Sequence, residues 1–235
     1  SDVYKRQGVA RSLQSKSWVT VGDMNNDTSD EVLLGDPITG LCYIQSQSKV
    51  LSTIYYYDAN NPSSRLTSLG WAVERVGDVN ADGLNDILFS APQANQVFLL
   101  FGSSSLPSSI NLNSLSSTQG IVIRGGARDV NTGLSLAALG DFNRDGLPDF
   151  AITSVAAGNS SSVYIVLGNA TWSNIEIDRL PAWSAITIRS PKSFFAGLSL
   201  AGLGDINGDG FADLAIGSVP YQGRYTDQRT YIVYG

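Results

Sequence analysis

Histidine is absent from this 235-residue chain, and cysteine occurs once, as Cys42. Without imidazole, Ser-His and Cys-His nucleophilic catalysis, zinc hydrolysis and histidine-based pH switching are all excluded. A single thiol forms neither an internal disulfide nor a thiolate metal cluster, and Cys42 reads as a small apolar residue packed in a strand. Charge is also scarce: Asp, Glu, Lys and Arg make up 15% of the chain, against roughly 25% in ordinary soluble domains. The net charge is -6 and no Lys/Arg cluster stands out, so neither nucleic acid nor an anionic membrane surface is an expected partner. No apolar run approaches the roughly 20 residues that span a bilayer, and no cleavable export signal is visible. Direct membrane insertion by this segment is not expected.

What the chain does contain suits many short strands joined by turns. Hydrophobic residues are 43% of it, enough to bury a real core, and glycine is abundant, with 24 copies. Residues Ser1 to Gln7 fit nothing that follows and read as a non-native or truncated lead-in, leaving 8–235 for the fold.

Within that span one segment recurs four times: Gly22-Asp23-Met24-Asn25-Asn26-Asp27, Gly77-Asp78-Val79-Asn80-Ala81-Asp82-Gly83, Gly140-Asp141-Phe142-Asn143-Arg144-Asp145-Gly146 and Gly204-Asp205-Ile206-Asn207-Gly208-Asp209-Gly210. The leading aspartates lie 55, 63 and 64 residues apart, a spacing that accommodates four strands with generous loops. Eight residues before the aspartate stands a glycine in three copies, Gly70, Gly133 and Gly197. After each loop comes a short apolar run ended by a turn signal, such as Ile87-Leu88-Phe89 before Ser90-Ala91-Pro92. A third strand follows at 96–102, 162–168 and 230–235, and a fourth at 121–124 and 186–189. The expected fold is all-β: a β-propeller of four-stranded antiparallel blades, about three and a half of them, with acidic loops at 23–31, 78–86, 141–149 and 205–213.

Each loop carries oxygen-bearing side chains at its first, third, fifth and ninth positions. These are Asp78, Asn80, Asp82 and Asp86; Asp141, Asn143, Asp145 and Asp149; Asp205, Asn207, Asp209 and Asp213; and, in the first copy, Asp23, Asn25, Asp27 and Glu31. Glycine at the sixth position permits a sharp turn, although Thr28 replaces it in the first loop. The seventh residue, Leu84, Leu147 or Phe211, would add a backbone carbonyl. Hard oxygens converging without nitrogen or sulfur select Ca²⁺. An EF-hand would need a bidentate Glu at position twelve, where this chain has Leu34, Phe89, Ile152 and Ile216. Asp, Asn and Gly are also ordinary turn residues, but turn propensity does not demand an acid at position nine in every copy. Without a cation, clustered carboxylates would repel one another and raise their pKa values.

Loops of this form, preceded by a glycine-led strand and followed by Gly-x-x-Pro or Ser-Ala-Pro, resemble the FG-GAP repeats of the integrin α-chain amino-terminal propeller, from about Trp18 onward. The resemblance implies a seven-bladed propeller, calcium at the loop residues named above, and a protein or carbohydrate ligand bound elsewhere on the surface. Thr153-Ser154-Val155 departs from the family's Gly-Ala-Pro pattern. On this reading the chain is part of a longer propeller whose remaining blades are its partners.

The expected function is a calcium-binding module for ligand recognition or adhesion, extracellular or at the cell surface, and not an enzyme. The alternative is an accessory propeller of a secreted hydrolase, since similar repeats accompany a phospholipase D-type enzyme and polysaccharide-degrading proteins. The acids outside the loops, including Asp58, Glu74, Asp129, Glu176, Asp178 and Asp227, form no recognisable catalytic pair. Gly133-Leu134-Ser135 and Gly197-Leu198-Ser199 lack the second glycine of a nucleophile elbow and read as strand residues. Sequons at Asn26, Asn159 and Asn169 read as chance in a Ser- and Asn-rich chain, and Tyr55-Tyr56-Tyr57 as strand packing.

Overall fold

The computed structural model describes residues 17–46, 49–56, 68–127, 129–156, 160–190, 194–220 and 228–235. The lead-in at 1–7, Tyr57, Asp58, Asp227 and the Asn159 sequon lie outside the described residues. The first sheet is built from β1 (Ser17–Gly22), β2 (Glu31–Asp36), β3 (Leu41–Ser46) and β4 (Lys49–Tyr55). The second repeat supplies β5 (Val73–Gly77), β6 (Asp86–Ala91), β7 (Gln96–Leu100), β8 (Ser109–Asn111) and β9 (Gly120–Arg124). The third supplies β10 (Asp129–Val130), β11 (Leu136–Gly140), β12 (Asp149–Ala156), β13 (Ser160–Val166), β14 (Ile175–Glu176) and β15 (Ala185–Arg189). The fourth supplies β16 (Phe194–Gly204), β17 (Asp213–Pro220) and β18 (Arg229–Val233).

Each acidic loop joins the first strand of a sheet to the second, and the strands then run antiparallel in chain order. This is the expected propeller plan, cut to a partial ring of blades. The fifth strand on two sheets was not legible in the sequence. The short β8 leaves its own repeat to pair in parallel with β4 of the first blade, and β14 does the same to β9 of the second. Gly197–Ser199 lie within β16, at an irregularity in its pairing, whereas Gly133–Ser135 form the turn before β11 and are not strand.

The strands of the middle blades are buried on both faces, and the period of two sends alternate residues into different cores. From β6 and β7, Ile87, Phe89, Phe98 and Leu100 pack toward the first blade with Leu33, Ile44 and Ile54, and Phe89 stacks on Phe98. Their neighbours Leu88, Val97 and Leu99 face the third blade and meet Phe150, Ile152 and Tyr164. Val163 and Ile165 then face the fourth blade and meet Leu214 and Ile216. Such strands read as continuous apolar runs because neither side sees water. Cys42 sits in β3 with no exposed surface, as expected of its thiol.

Adjacent blades come into close backbone contact at the recurring glycines. Gly70, Gly133 and Gly197 all have left-handed φ, +79°, +88° and +84°. Each lies against the second and third strands of the blade before it. A Cβ at Gly70 would lie 2.5 Å from Gly35 Cα and 2.8 Å from Cys42 Sγ; one at Gly133 would lie 2.6 Å from Ser90 Cβ and Val97 Cγ2; one at Gly197 would lie 2.5 Å from Thr153 Oγ1. Hydroxyl groups close the joint, with Ser17 Oγ donating to Gly70 O and Thr153 Oγ1 to Gly197 O, both at 2.5 Å. Thr153, the residue that departs from the family pattern, is therefore an inter-blade donor.

Gly70→Ala combines left-handed strain with collision against fixed backbone and should cost about 3 kcal/mol in chemical denaturation. Gly83→Ala, also left-handed but with nothing within 4 Å of the added Cβ, should cost only about 1 kcal/mol. Equal costs would contradict the close-packed joint.

Candidate functional site

All four acidic loops adopt one conformation. In the second, the Asp82 N–H donates to Asp78 Oδ1 at 2.9 Å and to Asn80 Oδ1 at 3.1 Å, and the Gly83 N–H donates to Asp78 Oδ2 at 2.7 Å. The Leu84 N–H reaches Asp82 Oδ1 at 2.9 Å, and Asn80 Nδ2 reaches Asp82 Oδ2 at 2.9 Å. The same set recurs around Asp141, Asn143 and Asp145, around Asp205, Asn207 and Asp209, and around Asp23, Asn25 and Asp27. The first loop keeps this shape without the sixth-position glycine, because Thr28 itself adopts φ +71°. A β-branched residue there carries strain that Gly83, Gly146 and Gly210 avoid.

The ninth residue behaves differently from the others. Glu31, Asp86, Asp149 and Asp213 have no exposed surface, whereas the fifth-position aspartates are exposed. Each ninth carboxylate accepts the N–H of the loop's second residue: Met24 to Glu31 at 3.0 Å, Val79 to Asp86 at 2.9 Å, Phe142 to Asp149 at 2.7 Å and Ile206 to Asp213 at 2.9 Å. The other oxygen accepts from the glycine just beyond the third strand, Gly102 at 2.9 Å, Gly168 at 2.7 Å and Gly235 at 3.3 Å. Position nine thus ties the loop to two strands of its own sheet. Among the described residues, Glu31 Oε1 meets no donor within hydrogen-bond geometry; Ser46 lies close enough to oppose, in small part, the rise that burial gives the carboxyl pKa.

Mutual repulsion does not set the carboxylate pKa values in the way expected from the sequence. Burial is the main cause that pushes Asp86 up to about 7 and Asp149 up to about 6; the charges of Asp82 and Asp78 on Asp86, and of Asp145 on Asp149, add to it. Glu31 is raised for the same first reason. Asp209 moves the other way, held down by the Phe211 N–H and then by Asn207. At Asp23 desolvation pushes upward, but the backbone N–H groups led by Thr28 and Asp27 outweigh it and the net shift is down. Exposed loop carboxylates are screened and solvated by amide donors, while the ninth residue has given up water.

The loops also touch one another, through residues that the sequence reading did not single out. Asn85, at position eight, receives the Arg75 guanidinium at 3.0 Å and reaches back toward Asp23 O and Gly22. Arg144 of the third loop stacks 5.0 Å above the Phe211 ring of the fourth and acts electrostatically on Asp209. The N–H groups of Ser103 and Asn169 dock on the second-position carbonyls of the preceding loops, at Met24 and Val79. The only sequence signal for this docking was the apolar second position.

Among the described residues no three Asp, Glu, Cys or His side chains close on one point, and the loop presents an open arc of oxygens. That arc nevertheless fits a hard divalent cation. Asp78, Asn80 and Asp82 and their counterparts gather carboxylate and amide oxygens within one tight turn, and each carboxylate oxygen that accepts one N–H retains a lone pair. The buried Glu31 Oε1, which meets no donor within hydrogen-bond geometry, adds a further oxygen ligand in the first loop.

Comparison with known proteins agrees with the fold. Residues 141–216, which contain the third and fourth loops, match the model of the FG-GAP-like repeat. Integrin alpha-5 of Xenopus laevis is 23% identical over 85% of this chain and 19% of its own length. The phosphatidylinositol-glycan-specific phospholipase D of Rattus norvegicus is 31% identical over 78% of the chain and 21% of its own length. Human integrin alpha-8 is 28% identical over 85% of the chain and 19% of its own length. The chain therefore spans about a fifth of the length of these relatives. From the recurring loops, the stacked sheets and these matches, the chain is an FG-GAP repeat protein of the integrin-α-like kind.

Proposed function

We propose that this propeller segment is a non-catalytic, calcium-binding module that presents a rigid surface to a protein or carbohydrate ligand, outside the cell or on its surface. The observation that carries the reading is the fourfold recurrence of one oxygen-lined loop conformation, kept even where Thr28 must take a left-handed φ. Asp, Asn and Asp at positions one, three and five would hold the ion, with the carbonyl of Leu84, Leu147 or Phe211 and the ninth carboxylate completing the set. Bound calcium would neutralise the loop and stiffen the line of contacts from Asn85 to Asp23 and from Arg144 to Phe211. An open depression of about 320 Å³ beside the third loop, lined by Asp145, Asn169, Ser184 and the exposed Trp183, has the mixed polar and aromatic character that suits a sugar or a peptide.

Its similarity to the rat phospholipase D favours a second reading, an accessory propeller beside a hydrolase domain. Under that reading the loops keep the same role and the chemistry resides in another domain.

Calorimetric titration of the chelated protein should show binding on the order of 10⁻⁴ to 10⁻³ M, with a rise in melting temperature at millimolar Ca²⁺. Asp82→Ala, Asp145→Ala and Asp209→Ala together should remove most of that rise, and an unchanged melting curve in chelator would refute calcium binding. Asp86→Ala should act through a different route: it strips the Val79 and Gly102 N–H groups of their buried acceptor and should cost about 2–4 kcal/mol even without calcium. Asp82→Ala, on an exposed side chain, should cost less than about 1 kcal/mol under the same conditions.

The raised carboxyls predict a pH signature for the metal-free protein. A carboxyl with a folded pKa above its unfolded value binds more protons when folded, so its contribution falls as pH rises between about 4 and the folded values of about 6 and about 7. Melting in chelator should therefore be higher at pH 5 than at pH 7.5, and the slope should flatten in an Asp86→Asn, Asp149→Asn double variant.

A further inference from the structure

Two sheets of the molecule each carry a borrowed strand, and the borrowed segments share a pattern that the loop repeat had obscured. Ser109-Ile110-Asn111-Leu112 and Asn174-Ile175-Glu176-Ile177 each form a short parallel strand followed by a 3₁₀ turn, with a leucine three residues further on. Leu112 and Ile177 bury almost completely, at 3% and 1% exposure. Both segments sit between the third and fourth strands of their own repeat and pair with the outermost strand of the preceding blade.

The receiving strands β4, β9 and β15 are equivalent by register. Thr53 faces Tyr43, Val122 faces Phe98 and Thr187 faces Tyr164. At the first two, the outward N–H is satisfied by the incoming segment: Thr53 N donates to Ser108 O at 3.0 Å, and Val122 N to Asn174 Oδ1 at 2.8 Å. On β15 the Thr187 N–H has no partner among the described residues, and β15 ends its sheet. The preceding residue shows the same contrast. Ser52 and Ile121 are 0% and 1% exposed under their borrowed strands, whereas Ile186 is 41% exposed.

We propose that the edge of β15 is a strand-acceptor site for a parallel segment of the pattern Ile-x-Leu/Ile-x-x-Leu carried after β18 in the fourth repeat, with its second apolar residue covering Ile186. The inference rests on the propeller reading and is independent of calcium. An extended segment would gain main-chain hydrogen bonds from the edge and specificity from alternate apolar side chains. The two filled copies define what fits: an oxygen just ahead of the first apolar residue to accept the outward N–H, a main-chain carbonyl at Ser108 and a side-chain amide at Asn174, and branched or leucine side chains at the two inward positions.

The test joins a copy of residues 169–184 after Gly235, the position equivalent to Gly168 by its bond to the ninth carboxylate. Hydrogen exchange should slow at least about tenfold at the Thr187 amide relative to the unextended chain. Protection of the Leu88 and Leu99 amides, in the second blade, reports that both proteins fold. A control extension with the copied Ile175, Ile177 and Leu180 changed to serine should give no protection, and Thr187→Pro in the extended chain should lose the exposure change at Ile186. Unchanged exchange at Thr187, or equal protection from the serine control, would overturn the proposal. So would protection in the unextended chain that grows with protein concentration, which would assign the edge to a second copy of the chain.

Discussion

The architecture depends on how closely one blade can approach the next, and that approach is set at Gly70, Gly133 and Gly197. Each glycine presses its Cα against the paired second and third strands of the previous blade, where Gly35 and Cys42, Ser90 and Val97, and Thr153 and Val163 occupy matching places. Van der Waals packing between sheets falls off steeply with separation, so the cores flanking Phe89, Phe150 and Ile165 close only if this contact is short. The left-handed φ at the same residues turns the chain into the first strand of the new blade at Gly70 and Gly133 and bends β16 at Gly197. One residue type therefore sets both the spacing of the blades and the direction of entry, and no other side chain satisfies both demands. Cys42 belongs to this constraint: its small thiol fills the place beside Gly70 that Val97 and Val163 fill in later blades.

The acidic loops are built on top of that joint and use their carboxylates in two ways. Positions one, three and five fold the loop around its own amides and leave oxygens facing outward. Position nine turns inward, where Asp86, Asp149 and Asp213 each hold the loop's second residue and the glycine past the third strand. That second residue is in turn the docking point for the next repeat at Met24 and Val79. The electrostatics follow from this division: burial raises the pKa values of Glu31, Asp86 and Asp149 at position nine, while the amide-solvated Asp23 and Asp209 are lowered. A cation at the loop would thus be coupled through one buried carboxylate to the interface between blades.

Much of this was legible in the residues. The spacing of the Gly-Asp loops, the apolar runs after them and the fourth strands at 121–124 and 186–189 correspond to the observed strands, because each rests on local signals of turn and alternation. The glycine eight residues ahead of the aspartate was visible as a repeat, although its purpose was not. Less was legible where two distant segments meet. The borrowed strands β8 and β14 are short, and their pairing partners lie in another repeat. Arg144 and Asn85 occupy loop positions that vary between copies and show no pattern. The expectation of carboxylate repulsion failed at Asp23 and Asp209 because it counted charges without the amide donors that the loop turns toward them.

The sequence by itself determined the repeat, the all-β blades and the oxygen-only character of the loops, since glycine placement, period-two alternation and side-chain chemistry act within a few residues of one another. Only the tertiary structure decided that the ninth acid is a buried strut and that one blade lends a parallel strand to the blade before it. Burial, desolvation and edge pairing depend on what the neighbouring blade brings to the same place, and local sequence does not encode that proximity.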